Sequence, residues 1–131
     1  MKKLVFLTLL LAGALSACTG SAADVETLPL EISAEEAHEL YQNGTFFLDV
    51  RTQEEWNEFH APNSTLIPLD QLPDRLSELP DDQPIVVVCR SGNRSEMGRD
   101  ILLDAGFLQV TSMKGGLTEW AASGYPTATG P

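Results

Sequence analysis

A chain of 131 residues has room for one domain and not for two once any targeting segment is set aside. An apolar content of 43% is enough for a compact core, and a net charge of −11 repels phosphate backbones and anionic lipid, which argues against nucleic acid as a partner. The chain opens with Lys2 and Lys3 and an apolar run from Leu4 to Leu15. That run is shorter than the roughly 20 residues of a membrane-spanning helix and has the length of the apolar part of an export signal. Without the two lysines, six basic side chains face nineteen acidic ones, a net of −13.

The leader closes on Leu15-Ser16-Ala17-Cys18, which resembles a bacterial lipobox. The resemblance implies a signal peptide over residues 1–17 and a diacylglycerol thioether on Cys18. It further implies a protein exported and lipid-anchored to the cell envelope. Thr19 follows in place of Asp, which points to the periplasmic side of the outer membrane where the organism has one. Two or more acyl chains anchor stably where a single chain is marginal. The alternative is an ordinary cleaved signal with a coincidental cysteine. Residues 18–27 are small and polar and read as a tether, and residues 28–131 form the domain. A lipidated Cys18 cannot pair with Cys89, which then stands as a lone thiol in an oxidising compartment.

Along the domain, Leu28–Ile32 alternates weakly and suits an edge strand. Ser33 and Glu36 have the spacing of a capping box, predicting a helix from Ala34 to about Gln42. Ala37, Leu40 and Tyr41 form its apolar face, His38 lies on the polar face without a role, and Gly44 stops it. Phe46–Val50 is a short apolar run, read as a buried strand. Residues 54–59 make a turn or two of helix, and residues 65–67 a brief strand closed by Pro68. Leu72, Leu76 and Leu79 have helical spacing, predicting a helix over residues 70–79 ended by Pro80. Ile85–Val88 is the clearest strand, four branched residues suited to burial on both faces. A helix over residues 95–105 follows, with Met97, Ile101, Leu102 and Ala105 inward and Gly106 as its cap. Residues 107–111 give another strand, and residues 117–123 a last helix ending at Gly124. Strands alternating with helices predict an α/β fold, a small central parallel sheet with helices on both faces. Ligands on such sheets bind where strands end and helices begin.

Cys89 lies at such a place, in Val88-Cys89-Arg90-Ser91-Gly92-Asn93-Arg94-Ser95. Successive backbone N–H groups of a loop like this form an anion-binding concavity, and the positive end of the next helix points the same way. Gly92 gives freedom for a tight turn. Arg90 and Arg94 add charge to an otherwise acidic chain. Together these features favour the thiolate, the form that attacks. Cys89 is therefore the candidate nucleophile, and Arg90, Ser91, Gly92, Asn93, Arg94 and Ser95 are the candidate anion-binding residues. The same concavity would hold a persulfide, R–S–S⁻, with no general base. The competing reading, a buried core cysteine, fits poorly with the polar run that follows. No His/Cys/Asp spacing suggests a metal, and no cofactor is called for. Arg51 is expected to pair with Glu55, His60 to be a hydrogen-bonded loop residue, and Trp120 to anchor the core. Lys114 and the Gly115-Gly116 turn are candidates to border the site and offer N–H groups.

The loop from Cys89 to Ser95 resembles the active-site loop of single-domain rhodaneses. Asp49-Val50-Arg51 with Glu55-Trp56, then Met113-Lys114-Gly115-Gly116-Leu117 with Trp120, and finally Gly124-Tyr125-Pro126 resemble further marks of that family, in order. The resemblance implies a rhodanese-like fold and a sulfurtransferase, and the chain is separately expected to be a monomer. Cys89 would take a sulfane sulfur from thiosulfate or another small anionic donor and pass it to cyanide, a thiol or a partner protein. Between Trp56 and the third strand the chain departs from the family. His60 matches, but Phe59 and Asn63 stand where glycines are usual, which predicts an altered turn and a Phe59 lining or covering the pocket.

Two rivals stay open. A phosphatase-like or arsenate reductase-like enzyme would need a loop one residue longer than the Cys-x4-Arg found here, whose smaller ring suits sulfur better. A non-catalytic relay that hands persulfide to a partner uses the same loop.

Overall fold

Ile85–Val88 builds the central strand, and all four side chains are fully buried. In the computed structural model, which describes residues 26–131, this strand is β4. The leader and the lipidation expected at Cys18 lie outside the described residues. The other strands are β1 (Glu31–Ile32), β2 (Phe46–Asp49), β3 (Thr65–Leu66) and β5 (Val110–Met113). They form a five-stranded sheet in the order β1-β5-β4-β2-β3, parallel throughout. Asp49 pairs with Val88 across β2 and β4, so the segments after these two strands leave the same edge of the sheet.

Side chains alternate across the sheet as the pleat requires. Val86 and Val88 join Ile32, Phe47, Met113 and Leu117 around Trp120 on one face, beneath α1 (Ala34–Gln42) and α4 (Gly116–Ala122). Ile85, Val87 and Cys89 join Leu48, Ile67, Leu72 and Leu102 on the other, beneath α3 (Asn93–Asp104). The sheet is thus covered on both faces, as predicted. Trp120 is fully buried, and its Nε1 donates to Pro126 O at 2.8 Å.

The capping box at Ser33 and Glu36 forms, and a second one at Thr52 and Glu55 opens α2 (Gln53–Glu58). α1, α3 and α4 all end alike. The N–H groups of Thr45, Phe107 and Tyr125 reach back to Leu40 O, Leu102 O and Trp120 O, each helped by the glycine before it.

Four expectations need correction. Residues 70–79 make two 3₁₀ turns, Leu72–Asp74 and Leu76–Glu78, instead of an α-helix. Pro73 brings no N–H, and Pro80 holds Leu79 extended, leaving too little chain for α-helical bonding. The last strand starts at Val110, because Phe107 is spent closing α3. Met97 is 57% exposed and Ala105 is also exposed, while Ser95, Gly98 and Leu102 face inward. α3 lies so close to the sheet that a Cβ on Gly98 would meet Val87 Cγ1 at 3.1 Å and Val50 Cγ1 at 3.3 Å. His38 is not idle on a polar face, for its ring stacks on Tyr125 with centroids 4.0 Å apart.

Candidate active site

β4 delivers Cys89 to the edge of the sheet with only 1% of its surface exposed. The chain then turns sharply at Gly92, whose φ of +115° suits a residue without a Cβ. The turn brings the Gly92 N–H to the thiol, donating to Cys89 Sγ at 3.1 Å. α3 begins at Asn93, and N–H groups in the first turn of a helix have no carbonyl within it to bond. Ser95 is fully buried; its Oγ donates to Gly92 O at 2.7 Å and lies 3.5 Å from Cys89 Sγ. The loop is thus tied to its own sulfur at two points. Ser91 and Asn93 are exposed on its rim.

The end of β5 and the start of α4 hold the loop from the other side. Leu117 N–H donates to Cys89 O at 2.8 Å, and Thr118 N–H donates to Arg90 O at 3.1 Å. This approach depends on Gly116, with φ +61°, where a Cβ would sit 2.4 Å from Arg90 C and O. The Gly115-Gly116 turn does border the site. The N–H groups that follow it are given to the carbonyls of the loop, so they set its shape from behind.

The charges fall out differently from the expected pairing. Arg51 pairs with Asp49, not with Glu55, and both side chains are completely buried with Nη2–Oδ2 at 2.7 Å. Arg51 also donates to Phe59 O at 2.7 Å and to the backbone carbonyl of Glu55 at 3.3 Å, which fixes the end of α2. Two residues on the same extended segment reach each other more readily than a residue across a helical turn does. The Glu55 carboxylate is left free to face the loop. Its Oε1 accepts from Arg90 Nε at 2.9 Å and Arg94 Nη2 at 2.8 Å, and its Oε2 accepts from Arg94 Nη1 at 2.7 Å. Glu58 takes Arg90 as well, at 3.1 Å. The Arg94 fork, with Arg90 and the Thr52 cap, holds the Glu55 carboxyl far below the usual carboxylate range against a partial opposing effect of burial. Arg94 is raised in turn, first by Glu55, with smaller contributions from Cys89 and Asp49.

Glu55 is the site residue the sequence reading missed as such. The signal was its place beside Trp56 in the matched pair, one helical turn after Arg51. His60 is a hydrogen-bonded loop residue, as expected, its Nδ1 3.0 Å from Trp56 O and its ring stacked on Trp56 at 3.8 Å. Phe59 neither lines nor covers the loop. It packs toward the Trp120 face with the Arg51 guanidinium 5.3 Å from its ring centroid. Asn63 adopts φ +61°, so this turn keeps a left-handed residue where the family usually has glycine.

Two open clefts flank the loop. One of ≈ 310 Å³ lies beside Arg94 and is lined by Val50, Arg51, Thr52, Pro68, Leu69 and Asp70. The other, of ≈ 370 Å³, runs past Ser91, Gly92 and Asn93 and carries Glu31, Glu96 and Glu119 against Lys114. Among the described residues no three His, Cys, Asp or Glu side chains cluster as metal ligands.

The profile of the rhodanese-like domain matches residues 33–123. A sulfurtransferase of Allochromatium vinosum is 35% identical over 79 residues, covering 60% of this chain and 74% of that protein. The chloroplastic thiosulfate sulfurtransferase 16 of Arabidopsis thaliana is 34% identical over 117 residues, covering 80% of this chain and 98% of its own. Among solved structures, a rhodanese-related protein of Thermoplasma volcanium superposes with a TM-score of 0.71 at 30% identity, over 76% of this chain and 98% of that one.

Proposed function

Since this chain belongs to the rhodanese-like domain family, we propose that it is a sulfurtransferase carrying a sulfane sulfur as a persulfide on Cys89. The observation that carries this reading is the Gly92 N–H at 3.1 Å from Cys89 Sγ, inside a loop whose other N–H groups start α3. A sulfur held by a backbone donor at a helix start is stabilised when it bears negative charge.

The Cys89 thiolate attacks the outer sulfur of thiosulfate. A Cys–S–S bond forms as the S–S bond of the donor breaks, and the electron pair leaves with sulfite. One negative charge stays on the terminal sulfur, where Gly92 N–H and the first turn of α3 can bind it. A thiophilic acceptor, cyanide or a thiol, then takes that sulfur and restores the thiolate. A leaving group as good as sulfite needs no proton, and none of the His residues is called on. With 1% of Cys89 exposed, only a terminal atom of a small donor fits, which favours a one-atom cargo. Ser91 and Asn93 would meet the donor at the rim, Arg90 and Arg94 are held there by Glu55, and Ser95 holds the loop closed from within.

Intact mass after incubation with thiosulfate tests the reading. Wild type should gain one sulfur atom and Cys89→Ser none; an unchanged wild-type mass would sink it. We further propose that the domain works outside the cytoplasm on a lipid anchor at Cys18. Metabolic labelling with a lipid precursor should mark wild type and not Cys18→Ala. Label on both proteins would refute this attachment.

A further inference from the structure

The arginines are the puzzle of this site. Among the described residues all five are ion-paired, and Lys114 is the one basic side chain outside those pairs. Arg90 and Arg94, the two charges placed to attract an anionic donor, both end on the Glu55 carboxylate, and Arg94 meets it through a bidentate fork. That fork is the arrangement with which arginine binds an external carboxylate or oxyanion. Glu58 neutralises Arg90 a second time. Two positive charges therefore face two negative ones, and a dianion approaching Cys89 meets no net attraction from them. The cleft beyond Ser91 strengthens this, with three carboxylates against one lysine.

We propose that Glu55 is the specificity-determining residue of this site: an internal carboxylate that occupies Arg90 and Arg94 and discriminates against doubly charged sulfur donors in favour of singly charged or neutral ones. This rests on the Cys89 reading above. The chemistry of the transfer does not change with the donor. Methanethiosulfonate gives its outer sulfur to the Cys89 thiolate and leaves as methanesulfinate, with one charge on each side where thiosulfate and sulfite carry two. The two donors differ at the mouth of the site mainly in charge.

Glu55→Gln removes the charge and keeps the shape. Gln serves in a capping box as Glu does, so the Thr52 cap and α2 survive. Freed of one negative charge at the arginines, the variant should bind thiosulfate about tenfold more tightly, and methanethiosulfonate about threefold, half the charge gaining half the energy. KM carries the change and kcat stays near the wild-type value. Glu55→Asp, too short to span both guanidiniums, is the second variant and should shift KM the same way by less. Steady-state kinetics with both donors, alongside the mass of Cys89, separate the outcomes. A graded fall in KM supports the proposal. Equal shifts for the two donors, or none, overturn it while a sulfur on Cys89 leaves the transfer reading intact. No sulfur on Cys89 from either donor overturns both.

Discussion

Replacing Asp49 by Asn would expose how much of this domain hangs on one buried charge pair. Asp49 and Arg51 are both 0% exposed, and the carboxylate takes three bonds from the guanidinium and a fourth, at 3.0 Å, from the Arg51 N–H. The substituted amide could still accept from the N–H but would offer the guanidinium one neutral oxygen in place of a charge. The Arg51 guanidinium would be left with carbonyl oxygens as its acceptors. Breaking a buried pair from one side costs about 3–5 kcal/mol. A domain of roughly 100 residues has about 5–15 kcal/mol in all and loses about 4–8 °C of Tm per kcal/mol, so Tm should fall by at least 12 °C or so. Urea and thermal unfolding at neutral pH, followed by far-UV circular dichroism, give the number. Asp49→Leu with Arg51→Met should recover part of the loss, since an apolar pair of similar volume can replace an ionic one. Recovery stays partial because Phe59 O loses its 2.7 Å donor. A loss below about 1 kcal/mol for Asp49→Asn would refute the reasoning.

Two other predictions concern the loop and its acid sensitivity. Gly116→Ala puts a Cβ 2.4 Å from the Arg90 backbone at a left-handed φ, so α4 must back away from the loop; stability should drop by about 2 kcal/mol or more and persulfide formation should slow, as read by melts and timed mass spectra, and wild-type values for both would argue against the brace. The folded Glu55 carboxyl is depressed from an ordinary value near 4.5, so its stabilisation is full above that value and is lost as pH falls below it toward the folded value. The stability gap between wild type and Glu55→Gln should therefore narrow from about pH 6 to about pH 3 in urea titrations, and a gap that holds or widens would count against the ion pairs.

What was legible in the sequence was local. Four branched residues marked β4, Ser33 and Glu36 marked the start of α1, and Gly44, Gly106 and Gly124 marked three helix ends, because each rests on interactions within a few residues. The loop at Cys89 was legible for the same reason, being a strand end, a glycine and a helix start in seven residues. Leu72, Leu76 and Leu79 misled because burial at helical spacing is also met by two 3₁₀ turns joined at Arg75, once Pro73 weakens α-helical bonding. Met97 misled because α3 is rotated to bring Gly98 against Val87 of the preceding strand and against Val50, a residue far away in the chain. The partner of Glu55 was beyond reach for the same cause. It sits 35 and 39 residues away in the chain, and nothing near Glu55 in sequence tells it to prefer Arg90 and Arg94 to Arg51.

An all-parallel sheet also has a direction. β1 runs with β5, so residues 26–30 enter at the edge where the strands begin, and Gln109 Nε2, just before β5, donates to Glu26 O at 3.3 Å. Cys89 stands at the edge where the strands finish. A domain held by its N-terminus is thus held from behind, with its reactive sulfur on the far side. On the lipid anchor proposed at Cys18, the tether would therefore join the domain on the side opposite its reactive sulfur.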